Sequence, residues 1–218
     1  MKTSKDYHDY VFKNGKYIGK FEDMYRYSEE IPWKQDKVID RFYRKISLEI
    51  IKSVLANQSN SIKSTIEVGC GYGYVLSRIY QPGKSYSGFD ISATAIERAK
   101  EIHSKNKNIH FFVDDIIHLD HAEKYDLVLV LENLWYVIDH IEKALSNIVK
   151  LAKRKGYLFV SLAFPDLTKA YYGKKLLPNP ETLIDILSKY FDTLVINTCV
   201  CKEHKNDGPM LSYLGRKK

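Results

Sequence analysis

A glycine-rich segment, Glu67-Val-Gly-Cys-Gly-Tyr-Gly73, holds the residue types best suited to binding a ligand. It follows the apolar run 64–68 and opens a helical pattern, and glycines at such a junction let the backbone turn sharply and approach a ligand closely. A dinucleotide fingerprint would need a small residue where Tyr74 stands, and no Lys-Ser/Thr pair follows to make a phosphate loop. Glu67 would repel a pyrophosphate and attract an ammonium group. A tight turn without a ligand is the alternative interpretation.

Two further carboxylates stand where later strands are expected to end. Asp90 lies 17 residues beyond Gly73, where a carboxylate can accept hydrogen bonds from both hydroxyls of a ribose. Asp115 can accept from an adenine amino group, with the backbone of Ile116 beside it. A helix-capping role for Asp90 and a turn role for Asp115 are the alternatives. Together with Glu67, these features describe an adenosine with a positively charged appendage and no phosphate, which is S-adenosylmethionine.

Short apolar runs alternate with helical stretches and would bring these residues to one edge of a sheet. The runs cover 64–68, 85–90, 109–115, 125–132, 156–164, 193–200 and 210–215. The helical stretches cover 38–55, 73–80, 92–105, 138–153 and 180–190, and Asn179 is the expected N-cap of the last one. This alternation predicts an α/β fold with a doubly wound sheet. No helical stretch separates the last two runs, so we expect them to form an antiparallel hairpin.

The successive segments IEVGCGYG, GFDIS, VDDI and YDLVLVLE, within residues 64–165, resemble the cofactor motifs of class I S-adenosylmethionine-dependent methyltransferases. The resemblance implies a Rossmann-like seven-stranded sheet with an antiparallel last strand. It also implies S-adenosylmethionine as the cofactor and S-adenosylhomocysteine as the product. The residues to which we assign cofactor binding are Trp33, Glu67, Gly69, Cys70, Gly71, Gly73, Asp90, Ile91, Asp115, Ile116 and Glu132.

The segments outside these motifs resemble narrower groups of methyltransferases. The segment Glu132-Asn-Leu-Trp-Tyr-Val137 resembles the sequence after the fourth strand of the nodulation S-like enzymes, which act on sugars. The stretch 15–37 resembles the lead segment of small methyltransferases linked to capsule and surface-glycan synthesis, with Ile31 where that segment has Asp. We therefore divide the chain into an N-terminal helical lid segment, residues 1–37, and a class I methyltransferase domain, residues 38–218.

Aromatic residues are concentrated in the lid segment, where the sheet has no use for them. Such rings can cover a sulfonium, favour its positive charge by ~0.5–2 kcal/mol and exclude water. Simple packing of the segment onto the domain is the alternative, and we prefer it for Tyr7, Tyr10 and Tyr17. The residues that we predict to bind the methyl acceptor are Tyr25, Arg26, Tyr27, Trp135 and Tyr136.

Methyl transfer from a sulfonium is an in-line displacement, and much of its acceleration comes from aligning the nucleophile with the methyl group. Glu132 and Tyr136 follow the fourth predicted strand and are the candidates for acid–base catalysis. Glu132 could instead bind the ammonium group of the cofactor. Oxygen and nitrogen acceptors both fit these residues, and an acceptor oxygen that is already anionic would need no base.

The formal charge of +7 is spread unevenly along the chain. Residues 1–60 carry a net +3, residues 61–150 a net −2 and residues 151–218 a net +6. The basic ends, which include Arg26, Lys34, Lys174 and Lys175, fit an anionic small-molecule acceptor. Solvated surface lysine is the alternative. We therefore expect the substrate to be a sugar, nucleotide-linked or phosphoramidate-type precursor of a surface polysaccharide such as capsule.

The positive charge also suggests an alternative function, methylation of RNA or another nucleic acid. The enzymes that methylate amino groups of nucleic acids carry Asn/Asp-Pro-Pro-Tyr/Phe after strand four, where this chain has Glu132-Asn-Leu-Trp. The Pro-Cys nucleophile of cytosine-C5 enzymes is absent as well. A nicotinamide oxidoreductase is disfavoured by Tyr74. An inactive scaffold is disfavoured by the intact set of Glu67, Asp90 and Asp115.

Composition sets the broad class of protein. Hydrophobic residues make up 44% and charged residues 28% of 218 residues, which is typical of a globular domain. No apolar run approaches the ~18–20 residues needed to cross a bilayer, the first residues lack the apolar core of a secretory signal, and three cysteines make no disulfide framework. We therefore expect a cytoplasmic enzyme with no membrane partner and no metal site. Its oligomeric state is not indicated by the sequence.

Overall fold

The N-terminal segment forms short elements that precede the main sheet. The computed structural model describes residues 6–13, 16–119, 123–200 and 208–218. The first elements are α1 (His8–Val11), β1 (Phe12–Lys13), β2 (Lys16–Tyr17), α2 (Phe21–Tyr27), a 3₁₀ turn (Pro32–Lys34) and α3 (Gln35–Val38). Strands β1 and β2 form an antiparallel pair. The helical character expected of this segment is therefore present, in short pieces.

The main sheet has seven strands in the order β5-β4-β3-β6-β7-β9-β8. The remaining elements in chain order are α4 (Phe42–Asn57), β3 (Ser64–Val68), α5 (Tyr74–Ile79), β4 (Ser85–Asp90), α6 (Ala93–Ile102), β5 (Ile109–Val113), β6 (Tyr125–Leu131), a 3₁₀ helix (Leu134–His140), α7 (Ile141–Leu151), β7 (Ala152–Ala163), α8 (Pro180–Ser188), β8 (Phe191–Cys199) and β9 (Met210–Lys217). Strands β3 to β7 pair in parallel, whereas β9 is antiparallel to both β7 and β8. The α/β architecture and the antiparallel last strand predicted from the sequence are confirmed.

Both faces of the sheet are covered by helices, because successive side chains of a strand point to opposite sides. Ile66 and Val128 lie on one face and share a buried cluster with residues of α7 and α8. Leu127 and Leu129 lie on the other face and share a buried cluster with residues of α4, α5 and α6. Chain order runs outward from β3 to β5 in one direction and through β6 to β7 in the other, so the carboxyl end of β3 is the point of the sheet where ligands of such folds bind.

Side chains cap two of the helices, and the cap of α8 is the one that the sequence predicts. The Asn179 side chain accepts a hydrogen bond from the amide of Thr182, and Pro180 occupies the first turn of α8. Ser92 caps α6 by accepting from the amide of Ala95. Because Ser92 is the N-cap, the capping role considered for Asp90 is not needed.

Some boundaries differ from the prediction for local reasons. The predicted helix 38–55 is divided, because the extended backbone of Arg41 (φ −69°, ψ 151°) separates α3 from α4. The predicted helix 138–153 ends at Leu151, and β7 begins at once at Ala152. Between β6 and β7 the pairing shifts from Tyr125 with Ala152 to Leu127 with Tyr157. The extra residues of β7 form an irregularity in which Lys155 has a φ of 62°. No periodic pattern in the sequence predicts this irregularity.

Within the described ranges, no helix combines the length and apolar character needed to cross a membrane.

Candidate functional site

The glycine loop after β3 donates four consecutive amides to acceptors within the protein. The amide of Cys70 donates to the Phe89 carbonyl, and that of Gly73 donates to the Cys70 carbonyl, both at 2.9 Å. The Gly71 amide donates to Asp90 Oδ2 at 2.9 Å. The Tyr72 amide donates to Gln35 Oε1, also at 2.9 Å. The loop is therefore fixed by β4 on one side and by the N-terminal segment on the other.

Gly71 lies directly beneath the N-terminal segment. Its φ of +53° belongs to the left-handed region that favours glycine. A Cβ at this position would lie 2.5 Å from Gln35 Nε2 and 2.7 Å from Tyr25 Oη. Since Gln35 Nε2 also donates to Tyr25 Oη at 3.0 Å, two side chains of the N-terminal segment form a hydrogen-bonded cover over the loop. The segment and the glycine loop thus lie on the same side of the sheet.

Glu67 is a buried carboxyl at the end of β3, with only 4% of its surface exposed. Burial raises its pKa to about 8, the charge of Arg44 lowers it and that of Asp90 raises it further. Arg44, on α4, is also buried at 9% exposure. Among the described residues, neither Glu67 Oε2 nor Arg44 Nη1 has a hydrogen-bond partner. An amino-acid ligand would supply an ammonium to Glu67 and a carboxylate to Arg44 as the missing partners, and the assignment of Glu67 to the cofactor stays a prediction.

Asp90 joins the glycine loop to the loop after β4. Its Oδ2 accepts from the Gly71 amide and its Oδ1 accepts from the Ser92 amide at 3.0 Å. Burial raises its pKa to about 6, against the lowering effect of those amides. Each oxygen of a carboxylate can accept more than one hydrogen bond, so Asp90 keeps capacity for hydroxyl donors. Its assignment to the ribose stays a prediction.

The contacts of Asp115 are those of a turn residue. Its Oδ1 accepts from the Ile117 amide at 2.8 Å, and its Oδ2 contacts His118 Nδ1 at 2.9 Å. Ile116 is buried, and its carbonyl accepts from Asn147 Nδ2 at 2.7 Å. Ile91, next to Asp90, is 52% exposed at the loop surface. The turn role is therefore observed, and the adenine contacts assigned to these residues stay predictions.

Trp33 is the centre of an aromatic cluster formed by the N-terminal segment and the 3₁₀ helix after β6. Its ring lies 5.5 Å from that of Tyr136, 5.8 Å from that of Tyr7, and 6.1 Å from those of Phe21 and Tyr25. Trp33 and the following lysine have φ angles of 53° and 49°, which are strained for residues with side chains. Burial raises the pKa of Tyr136 well above its usual range, so its phenol stays protonated.

Tyr17, which we expected only to pack, closes the cluster on the side of the loop that follows β7. Its hydroxyl donates to the Tyr136 carbonyl at 2.6 Å, and its ring stacks on that of Tyr172 at 5.2 Å. Tyr172 in turn donates to Asp139 Oδ2 at 2.7 Å. The structure therefore packs Tyr25, Trp33 and Tyr136 into one aromatic cluster and adds Tyr17 and Tyr172 to it, and the ligand contacts predicted for the first three residues stay predictions.

Two other predicted site residues make hydrogen bonds within the protein. Both oxygens of Glu132 accept hydrogen bonds at 2.7 Å, from Ser161 Oγ and from the amide of Ala163. The indole of Trp135 donates to the Ala163 carbonyl at 2.8 Å and packs against the rings of Phe164 and Tyr171. The catalytic role of Glu132 and the acceptor contact of Trp135 stay predictions.

Two of the predicted acceptor-binding residues lie at the edge of α2. Arg26 is exposed and pairs with Glu22 at 2.6 Å. Tyr27 packs at the margin of the aromatic cluster. Their roles also stay predictions.

Sequence reasoning missed several residues of this site, among them Gln35 and Arg44. Arg44 precedes Leu48 and Ile51 at helical spacing, so a charged residue on the apolar face of a helix was the available signal. Gln35 had no comparable signal, because its role depends on how the N-terminal segment folds back on the loop. In the described part of the chain, no group of three or more His, Cys, Asp or Glu residues is placed to hold a metal ion.

Comparisons with known proteins agree with this fold. A methyltransferase-domain model matches residues 66–158. Nodulation protein S of Rhizobium tropici is 27% identical over 160 residues, which are 72% of this chain and 64% of that protein. The ubiquinone biosynthesis O-methyltransferase of Pelagibacter ubique is 27% identical over 190 residues, 78% of this chain and 75% of that protein.

The same fold occurs in N-methyltransferase NodS from Bradyrhizobium japonicum WM9, solved in complex with S-adenosyl-L-homocysteine. The two structures superpose with a TM-score of 0.68 at 22% identity, over 87% of this chain and 93% of that one. The predicted resemblance, fold and cofactor are confirmed. The chain resembles the class I S-adenosylmethionine-dependent methyltransferases, NodS among them, and S-adenosylmethionine is the cofactor that these matches indicate.

Proposed function

We propose that this methyltransferase acts on a sugar, nucleotide-linked or phosphoramidate-type precursor of a surface polysaccharide such as capsule. The observation that carries the proposal is the aromatic cover over the glycine loop, which joins Trp33 and Tyr25 to Tyr136. Pocket walls that bind small organic molecules are commonly aromatic, with a few polar groups that fix orientation. The similarity to nodulation protein S agrees with a small-molecule acceptor.

The residues of this chain would bind the cofactor, balance its charges and exclude water from its sulfonium group. When bound, S-adenosylmethionine supplies an electrophilic methyl group on a sulfonium. Arg44 and Glu67 would hold its amino-acid end, and Asp90 would hold its ribose. The rings of Trp33, Tyr25 and Tyr136 would favour the sulfonium charge and keep water out. Rate enhancement would then come chiefly from alignment, which requires no base when the acceptor is already nucleophilic.

Acceptor recognition falls to the surface between the N-terminal segment and the loop after β7. Tyr17, Tyr172 and Asp139 there combine stacked rings with a carboxylate, a set that suits the faces and hydroxyls of a sugar. An anionic acceptor would have to draw nearby cations from their present partners. Arg26 pairs with Glu22, and Lys174 Nζ donates to two backbone carbonyls at 2.7 and 2.8 Å.

The test measures S-adenosylhomocysteine formed from S-adenosylmethionine with a panel of purified acceptors. The panel holds nucleotide-linked sugars, amino sugars, phosphoramidates, catechols and RNA, and the Gly71→Val protein, which we expect not to bind the cofactor, gives the background. We expect turnover with a nucleotide-linked or amino sugar, or with a phosphoramidate. Turnover with catechols or RNA alone would overturn the proposal.

A further inference from the structure

Glu22, in the first turn of α2, makes a set of contacts that no part of the site described above requires. Its Oε2 accepts from Ser92 Oγ at 2.6 Å and from the Thr94 amide at 3.2 Å. Its Oε1 accepts from Thr94 Oγ1 at 2.7 Å and from Arg26 Nη2 at 2.6 Å. One carboxylate of the N-terminal segment is thus bound by four donors, three of them from the methyltransferase domain.

The position of these donors connects Glu22 to the cofactor site. Thr94 and Ser92 form the start of α6, where unpaired amides and the helix dipole favour a negative charge. The amide of the same Ser92 donates to Asp90 Oδ1, and Asp90 Oδ2 receives the Gly71 amide. A continuous chain of hydrogen bonds therefore runs from α2 through Ser92 and Asp90 to the glycine loop.

We propose that Glu22 is a positioning residue that holds the N-terminal segment closed over the cofactor by binding the first turn of α6. This rests on the proposed function, because it assumes that residues 20–37 cover the bound cofactor. Glu22 acts through Ser92 and Thr94 and touches no reacting atom. It would lengthen the time that the cofactor and its product stay bound, and it would hold Trp33 and Tyr25 in place during the reaction.

The protonation state of Glu22 suits this role. Partial burial would raise its pKa, but the hydrogen bonds from Ser92 and Thr94 hold the pKa at about 2. The carboxylate is therefore ionised at every pH at which the protein would work. The contact depends on a permanent charge and not on a titration.

The test compares Glu22→Ala with Glu30→Ala. Glu30 is a matched control, because it lies in the same segment and its carboxylate pairs with Lys34, an exposed residue of that segment, at 3.8 Å. Two quantities are measured: hydrogen exchange of residues 20–38 without ligand, and the rate of S-adenosylhomocysteine release followed by tryptophan fluorescence. We expect Glu22→Ala to raise exchange in this segment and to speed release about tenfold, the scale of losing one charge-assisted hydrogen bond. Glu30→Ala should change neither.

A double-mutant cycle with Thr94→Val separates positioning from general instability. If Glu22 acts through Thr94, the effects of the two substitutions on the release rate do not multiply. The double variant then releases product more slowly than the product of the two single effects predicts. Raised exchange with an unchanged release rate, or two fully independent effects, would overturn the proposal. If the unchanged protein does not bind S-adenosylhomocysteine, the cofactor assignment fails and the positioning role fails with it, whereas the exchange data still report whether Glu22 holds the segment.

Discussion

The affinity for S-adenosylmethionine should rise with pH, because Glu67 must lose a proton to pair with the cofactor ammonium. In the ligand-free protein burial raises the pKa of Glu67 to about 8, so the carboxyl is mostly neutral at pH 7. Binding that requires the ionised form releases this proton. If the bound carboxylate stays ionised down to pH 6, affinity should increase about 50-fold between pH 6 and pH 8 and level off above. Asp90, with a pKa of about 6, would add about a factor of two in that range.

The assay is isothermal titration calorimetry in buffers of different ionisation enthalpy, which gives affinity and proton release together. The control is Glu67→Gln, which has the same shape and cannot ionise. Because any proton change on the ligand is common to both proteins, the difference between them reports Glu67 alone. An identical pH dependence in the two proteins would refute the assignment of Glu67 to the ammonium.

The ligand-free protein should show the opposite trend in stability. The folded state keeps the proton of Glu67 up to a pH of about 8, whereas the unfolded chain loses it near the ordinary value of 4.5. The free energy of unfolding contributed by this group should therefore fall as the pH rises between those two values.

Further variants test the site. Asp90→Ala should weaken cofactor binding by about 1–3 kcal/mol in calorimetry, the usual cost of losing a charged hydrogen-bond partner, and unchanged affinity in a folded variant would reject the ribose assignment. Gly71→Val should abolish cofactor binding while the circular dichroism spectrum stays normal. Gly83→Val is the control, because Gly83 has a φ of +78° but a Cβ added there would meet no atom within 4 Å, so this variant has the backbone strain without the clash and should bind the cofactor normally. A chain that starts at residue 38 should keep its sheet but bind cofactor less well and lose turnover, and normal turnover of this shortened chain would argue against a lid. Tyr25→Phe removes the hydroxyl that accepts from Gln35 and should weaken cofactor binding by about 0.5–1.5 kcal/mol.

The sequence predicts the fold well where local patterns carry the information. The alternation of apolar runs and helical stretches, with the glycine loop after the first run, is enough to predict β3 to β9 and the edge of the sheet at which ligands of such folds bind. The Asn179 cap was equally local. These features need no knowledge of which distant residues meet.

The missed features depend on contacts between distant segments. Gln35 and Glu22 are ordinary polar residues until the N-terminal segment folds onto the glycine loop and the start of α6. Asp115 resembles an adenine ligand in sequence, but its contacts in the structure are those of a turn. The irregularity at Lys155 arises from how β7 pairs with β6, a property of two strands and not of one.

The hydrogen bonds of the glycine loop have a consequence for selection among the adenine compounds of a cell. A loop that binds phosphate offers its amides to the ligand's oxygens. Here the amides of the four residues from Cys70 to Gly73 are already given to protein acceptors, two of which are the side chains of Asp90 and Gln35. A competing nucleotide would have to break these bonds and bring its charge close to two buried carboxyl groups. Adenine nucleotides should therefore compete weakly with the cofactor. The site would discriminate against them because the loop amides are not available to phosphate oxygens, and not because it makes additional contacts to the cofactor.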